Sequence, residues 1–277
     1  MKSPSHSALL SDTINIAQIT NSTKLKGSIY HFESVDSTST WLQQHGKCGD
    51  VCISDMQTSG RGRRGNKWVS PQSGNIYFSM SWCFEDSLLK IKHQSLLGLV
   101  VGIAVADALK ELGLKNHGVK WPNDIFWQRR KMGGILIESV SQSGNFIIGI
   151  GLNVNMLQSD TLKIDQHVCS LSDAFDSQRD MKHVHNEHIS RNQLIIYMIQ
   201  QLSKQLSSFS DLNFESFQET WQKWDILNNK QVSFTHQTEV ITGRVSGLDI
   251  HGRLGILNEQ GNLKYYSSAD IKLRKPA

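Results

Sequence analysis

Between residues 96 and 112 the chain is almost uninterruptedly apolar over the length of a helix. That pattern suits a helix packed against a sheet, because a surface helix would keep a polar face. Further on, Ile195, Ile199, Leu202, Leu206 and Phe209 repeat at four-three-four-three spacing, which places them on one helical stripe and marks core packing. Residues 214–224 read as another helix with its aromatic side chains turned inward. Shorter β-prone runs at 29–35, 51–56, 75–84, 125–127, 135–140 and 146–150 predict strands. Asp36, Ser37 and Thr38 offer oxygens that cap a short helix reaching Gln44, with Trp41 and Leu42 on its buried side. Beyond Asp225 the texture changes to β-prone pieces at 232–236, 240–245, 254–257 and 263–266 separated by turns, which predicts a small β-barrel. The chain therefore divides into an extension at 1–27, a larger unit at 28–225 and the small barrel at 226–277. The extension, rich in Ser, Thr and Asn with only a weak apolar run, reads as poorly ordered or loosely docked.

Composition narrows the class. With 277 residues, 38% hydrophobic and 19% charged, the chain is globular and long enough for one sizeable core plus a small appended unit. A formal net charge of +4 is too modest to imply nucleic acid, and fits an anionic ligand or acidic partner. Cys48, Cys52, Cys83 and Cys169 show neither metal-knuckle spacing nor disulfide-scaffold density, which favours reduced thiols in a cytoplasm. No signal core precedes the domain, and the longest apolar stretch is too short to span a membrane. A soluble, cytoplasmic protein is expected.

The candidate chemistry lies in three short segments. Residues 57–68, Gln-Thr-Ser-Gly-Arg-Gly-Arg-Arg-Gly-Asn-Lys-Trp, alternate glycines with guanidinium forks. Such a loop brings backbone N–H groups and fixed positive charge close to an anion, and should order when the anion arrives. Lys120-Trp121-Pro122-Asn123-Asp124 and Lys131-Met132-Gly133-Gly134-Ile135 add two lysines, a carboxylate and an amide between apolar runs. Cations and backbone donors without a Ser-His-Asp order, a nucleophilic cysteine or a carboxylate pair point to catalysis by positioning and charge stabilisation. Phosphoryl or nucleotidyl chemistry fits, although neither a P-loop nor a dinucleotide fingerprint is present.

These segments, together with Gly149-Ile150-Gly151-Leu152-Asn153, resemble the successive signature segments of bacterial biotin protein ligases, over roughly residues 29–272. The resemblance implies an α+β fold, a mixed sheet flanked by helices of the class II aminoacyl-tRNA synthetase-like type, followed by an SH3-like barrel. It also implies the reaction: biotin and ATP form biotinyl-5'-AMP, and the biotinyl group then passes to a lysine of the biotin carboxyl carrier protein of acetyl-CoA carboxylase. Carried over residue by residue, Ser37, Thr38, Ser39 and Gln57 resemble the polar groups that hold the ureido ring. Gly60, Arg61, Gly62 and Arg63 resemble the loop that closes over biotin and the adenylate. Lys131 resembles the lysine beside the biotin carboxylate and the α-phosphate, and Arg61, Asp124 and Lys131 form the implied catalytic set. Arg63, Trp68, Lys120, Asn123 and Asn153 match the ATP-binding positions, and Asp124 is a candidate ligand for Mg²⁺ or an orienter of the acceptor amine. Trp121 is expected in the core.

Two departures stand out: Ser39 replaces the asparagine of the family's Ser-Thr-Asn, and a tryptophan near the adenine is missing, leaving Val168 or Ile164 for that wall. Repressing family members begin with a DNA-binding region of around sixty residues where only 1–27 stands here, so a ligase without repressor activity is expected, acting without DNA or membrane, and pairing through the sheets gives a possible homodimer. A lipoate or octanoate ligase would share the logic, but the polar Ser37, Thr38 and Gln57 favour a ureido ligand over a plain acyl chain. A nucleic-acid module would leave residues 120–124 unexplained. His183, His185 and His188 read as a solvated connection in place of a metal site. Asp107, Lys110 and Glu111 read as the wet edge of the buried helix.

Overall fold

The computed structural model describes residues 13–72, 74–84, 94–140, 145–156, 167–178, 189–267 and 271–273. Two sheets organise them. The larger has seven strands: β1 (Ile29–Phe32), β2 (Val51–Ser54), β3 (Ile76–Cys83), β4 (His117–Lys120), β5 (Asp124–Trp127), β6 (Arg130–Ser139) and β7 (Asn145–Leu152), in the order β1-β2-β3-β7-β6-β5-β4. Only β1 and β2 run parallel, so the sheet is mixed. The smaller is antiparallel and has five: β8 (Gln231–His236), β9 (Glu239–Leu248), β10 (Leu254–Leu257), β11 (Leu263–Tyr266) and β12 (Lys272–Leu273).

The two faces of the large sheet do different work, and the period-two alternation of strand side chains assigns each residue to one of them. Val51, Ile53, Ile76, Phe78, Met80, Ile148 and Ile150 enter the main core. There they meet α3 (Leu97–Glu111) and α5 (Arg191–Ser207), which also pack on each other. Eleven of the 15 residues of α3 are buried, which explains why its sequence shows no polar stripe. Cys52 and Ile147 point the other way and join Leu42 of α2 (Thr38–His45) in a small second cluster. Tyr77, Ser79, Gly149 and Gly151 share that second face, which carries the candidate site.

Most predicted elements are present with boundaries shifted by a few residues. The stripe Ile195, Leu202 and Leu206 is buried on α5, Phe209 lies buried in the 3-10 turn beyond it, and α6 (Phe214–Trp224) turns Phe217 and Trp221 inward. Strand β4 and helix α4 (Leu171–Gln178) were not expected, since both are short and carry few apolar residues. Lys131 and Asp124 lie within strands, where the sequence had suggested short connections.

Two expectations need correction. The leader is not loose throughout, because residues 16–23 form helix α1 (Ile16–Thr23), capped by Asn15 and docked through buried Ile14 and Ile19. Asn192 of α5 clamps it, accepting from the Asn15 N–H and donating to the Thr13 carbonyl at 2.8 and 2.9 Å. Two apolar anchors in a polar stretch are enough when the partner helix supplies the hydrogen bonds. Residues 1–12 of the leader, together with His183, His185, His188 and Ile164, lie outside the described residues. The second correction concerns the thiols. Cys48 and Cys83 form a disulfide with Cα atoms 5.7 Å apart, while Cys52 and Cys169 are free and buried. The 35-residue separation gives no local signal of that pairing.

Candidate active site

Gly149 and Gly151 occur at successive outward positions of β7, and they open a space above the sheet that larger side chains would fill. A Cβ on Gly149 would fall 2.8 Å from Ser39 Oγ, and one on Gly151 would fall 2.5 Å from the Trp68 indole. The space between the sheet, α2 and the segment 60–68 is one cavity of about 520 Å³. Ser37, Thr38, Ser39, Gln57, Arg61, Gly62, Arg63, Trp68, Lys120, Asn123, Asp124, Lys131 and Asn153 all line it. Gly60 lies just outside the lining, where its carbonyl accepts from the Trp68 N–H at 2.9 Å and no Cβ would fit beneath the Trp68 carbonyl. Val168 also contributes to the wall.

One end of the cavity is floored by hydroxyls and an amide. Ser37 caps α2 by accepting from the Thr40 N–H, which starts the helix at Thr38 and turns Thr38 and Ser39 down onto the sheet. Thr38 Oγ1 lies 2.7 Å and Ser39 Oγ 3.0 Å from Ser79 Oγ of β3. Gln57 Oε1 accepts from the Thr38 N–H at 2.9 Å, and Gln57 Nε2 donates to Ser70 Oγ at 3.0 Å. Serines 39 and 79 are buried, so this network holds in place the hydroxyls and the amide that face the cavity.

The other end is cationic. Arg61, Arg63, Arg64, Lys67, Lys120 and Lys131 line the cavity with Asp124 as its one acidic side chain among the described residues, six cations against one carboxylate. Lys131 reaches this face because of a bulge. Ile125 pairs with Gly133 and Phe126 with Lys131, leaving Met132 as the extra residue of β6. Met132 enters the core, while Lys131 on one side of it and Gly134 on the other share the cavity face. Lys131 Nζ meets Asp124 Oδ1 at 2.8 Å and lies 5.5 Å from the Trp68 ring centroid.

Segment 60–68 folds down as a flap. Arg61 bridges to Lys67, the Gly62 N–H donates to the Asn66 carbonyl at 2.7 Å, and Arg64 takes a left-handed φ of 56° inside a 3-10 turn. Three contacts hold the flap to the sheet. Arg61 pairs with Glu138 of β6 at 2.8 Å, Arg63 Nη1 donates to Asn123 Oδ1 at 3.0 Å, and the Trp68 ring packs against Gly134 and Gly151. Trp68 Nε1 is buried there without a hydrogen-bond partner. Burial, helped by the neighbouring Arg64, pulls the Arg63 guanidinium below its ordinary value. An incoming anion relieves that penalty.

Asn123 is also fixed from the sheet side, donating from Nδ2 to the Ile135 carbonyl at 2.8 Å. Asn153 is buried and donates from Nδ2 to the Cys169 carbonyl. Trp121 is core, as expected, with Nε1 donating to the Gly252 carbonyl at 2.9 Å. Ser79 and Glu138, whose contacts with the site cross 40 and 77 residues, and Ser70, 13 residues from Gln57, carry no signal in the site's own segments. Only the outward phase of β3 and β6 could have pointed to Ser79 and Glu138. Among the described residues, no three of His, Cys, Asp and Glu gather to hold a metal ion, and no helix is long and apolar enough to cross a membrane.

Residues 31–155 match the model of the biotin/lipoate A/B protein ligase family. The bifunctional ligase/repressor BirA of Escherichia coli is 33% identical over 254 residues, covering 90% of this chain and 74% of that protein. Biotin–protein ligase 2 of Arabidopsis thaliana is 40% identical over 117 residues, 41% of this chain and 35% of that protein. A biotin protein ligase from Aquifex aeolicus, solved in complex with biotin and ATP, superposes with a TM-score of 0.69 at 29% identity, covering 90% of this chain and 99% of that one.

Proposed function

The chain belongs to the biotin/lipoate A/B protein ligase family, among its biotin protein ligases, and on that premise we propose that the cavity joins biotin to ATP and hands the activated biotin to a lysine of a carrier protein. One observation carries the reading: a fixed hydroxyl-and-amide floor and a cationic flap face each other across a single cavity. Thr38, Ser39 and Gln57 meet the ureido ring, whose donors and acceptors need fixed partners in an otherwise apolar slot. Ser39 takes part through its bond to Ser79.

In the first step a biotin carboxylate oxygen bonds to the α-phosphorus, the bond from that phosphorus to the bridging oxygen breaks, and pyrophosphate leaves. Lys131 holds the carboxylate and the α-phosphate together, Arg61 and Arg63 follow the charge, and Lys120 and Asn123 face the leaving phosphates. Trp68 packs against the adenine, and its unpartnered indole N–H supports a ligand acceptor there. Asn153 anchors the nucleotide side. In the second step the carrier lysine amine attacks the acyl carbon and AMP leaves, with Asp124 orienting the amine and taking its proton. The flap keeps water from the mixed anhydride in between.

One carboxylate and a neighbouring amide fit a Mg²⁺ ion: in the first step Asp124 would hold it, and it would supply positive charge against the phosphates. The carrier we propose is the biotin carboxyl carrier protein of acetyl-CoA carboxylase, the compartment is the cytoplasm, the five-stranded sheet is an SH3-like barrel, and operator DNA has no part in the reading. Incubation with biotin, Mg·ATP and the carrier domain should release pyrophosphate and label the carrier lysine. Absence of both, or transfer of lipoate in place of biotin, would end this reading.

A further inference from the structure

Cys48 and Cys83 stand apart from the catalytic groups, yet the elements that carry them lead into the cavity. Cys48 is exposed in the turn between α2 and β2, and Cys83 closes β3. Their Cα separation of 5.7 Å is one that two cysteines bridge without backbone movement. Other bonds hold the turn over the strand. The Gly49 N–H donates to the Ser81 carbonyl at 2.9 Å, and the Ser81 N–H donates to the Asp50 carbonyl at 2.8 Å. The Asp50 carboxylate accepts from the Ser28 and Lys47 N–H groups, each at 2.8 Å. The Gly49 backbone presses so closely on Gly27 that a Cβ on Gly27 would fall 2.2 Å from the Gly49 carbonyl.

The two sulfurs therefore stay opposed with or without a bond between them, at high effective concentration. Cys52 and Cys169 differ, since burial pushes their thiols up to about 12 and about 11 and leaves them without thiolate character.

We propose that Cys48 and Cys83 are a reversible thiol–disulfide couple, responsive to small disulfides such as oxidised glutathione, which stiffens one wall of the cavity when oxidised. The Cys48 thiolate attacks one sulfur of the small disulfide and expels one small thiolate. The Cys83 thiolate then attacks the Cys48 sulfur, closing the protein bond and expelling the second. Two protein thiols lose two electrons and two protons, and one small disulfide becomes two thiols. Helix α2 begins at Thr38 and runs toward the Cys48 turn, and β3 carries Ser79 and ends at Cys83. Thr38 and Ser39, at the start of that helix, bond Ser79 in the middle of that strand. A covalent tie there limits their relative movement, and the closed loop also contains Gln57 and the flap. The consequence for biotin rests on the ligase reading; the couple itself does not.

The full chain, equilibrated across ratios of reduced and oxidised glutathione, should pass from four titratable thiols to two after unfolding. The Cys48→Ser variant should form no internal disulfide. Amide hydrogen exchange at residues 46–51 and 79–83 should be slower in the oxidised form. Biotin should leave that form about two- to tenfold more slowly, the equivalent of one side chain's ordering cost. A pair that stays reduced at every ratio, equal exchange in both forms, equal biotin release from both, or the same response in Cys48→Ser would each overturn the proposal. If biotin bound neither form the ligase reading would fall instead, and thiol counts and exchange would still decide the couple.

Discussion

At the residue scale, two of the site's cations have an anionic partner, Lys131 in Asp124 and Arg61 in Glu138. Lys131 and Asp124 are partly exposed, and an ion pair of that kind contributes only about 0–1 kcal/mol to stability. Lys131→Ala should therefore leave the melting temperature nearly unchanged, while pyrophosphate release falls by roughly 10²–10³, the usual cost of losing one preorganised electrostatic group. Retention of the rate would remove Lys131 from the catalytic set. Glu138 tests the flap from its other side. With Glu138→Gln the Arg61 guanidinium loses its anionic anchor on β6, and preformed biotinyl-adenylate should be lost to solution several-fold faster, as read by trapping AMP in a single turnover. Glycines, arginines and lysines of the site are legible in the sequence because their chemistry is local to short segments. Glu138 and Ser79 are not, because each acquires meaning from a partner at least 40 residues away.

At the element scale, small departures from regularity place the groups. Without the bulge at Met132, the alternation of β6 would put Lys131 and Gly134 on opposite faces of the sheet. The glycines of β7 have a comparable effect. Gly151→Ala sets a methyl 2.5 Å from the Trp68 ring, so the flap cannot seat, whereas a strand accepts alanine readily. The expected outcome is a folded protein with exposed, red-shifted Trp68 emission and rapid leakage of adenylate. A Trp68 emission identical to wild type would show that the flap does not rest on β7. Buried α3 and the stripe on α5 are legible in the periodicity of the sequence. The strand β4 escaped because four residues, half of them outward, carry too little pattern. Helix α1 escaped because its two anchors are sparse and its polar majority faces water.

For the whole molecule, the two sheets are joined where α6 ends. Asp225 is 8% exposed and accepts from the Leu227 N–H at 2.8 Å, and the following Ile226 N–H donates to Val119 of β4. Burial, only partly offset by the bond from Leu227, raises the Asp225 carboxyl from 3.8 to about 7. A raised acid takes up a proton on folding, so its stabilising contribution is complete below about pH 4 and is lost as pH rises through about 7. The loss is a few kcal/mol in order of magnitude. Asp225→Asn keeps the acceptor oxygen without the charge, and its melting temperature should decline less than that of wild type between pH 5 and 8 on this linkage. Parallel curves would exclude Asp225 as the source. Asp55 acts in a separate window. Burial raises its carboxyl, but hydrogen bonds from His31 and Arg191 more than reverse this, so the stability it adds is lost only in acid below its ordinary range.

The amino-acid order alone was enough for the class of chemistry, the main helices and the division into two sheets, because each depends on periodicity, local turn residues or charge within a dozen positions. Three-dimensional packing was needed for everything that joins distant segments: the Ser79 floor beneath Thr38 and Ser39, the Glu138 anchor of Arg61, the docking of residues 16–23 and the pairing of Cys48 with Cys83. Those contacts depend on which strands become neighbours and on which side of a pleat each residue falls. A single bulge or a one-residue change of register reverses that side without altering any local pattern.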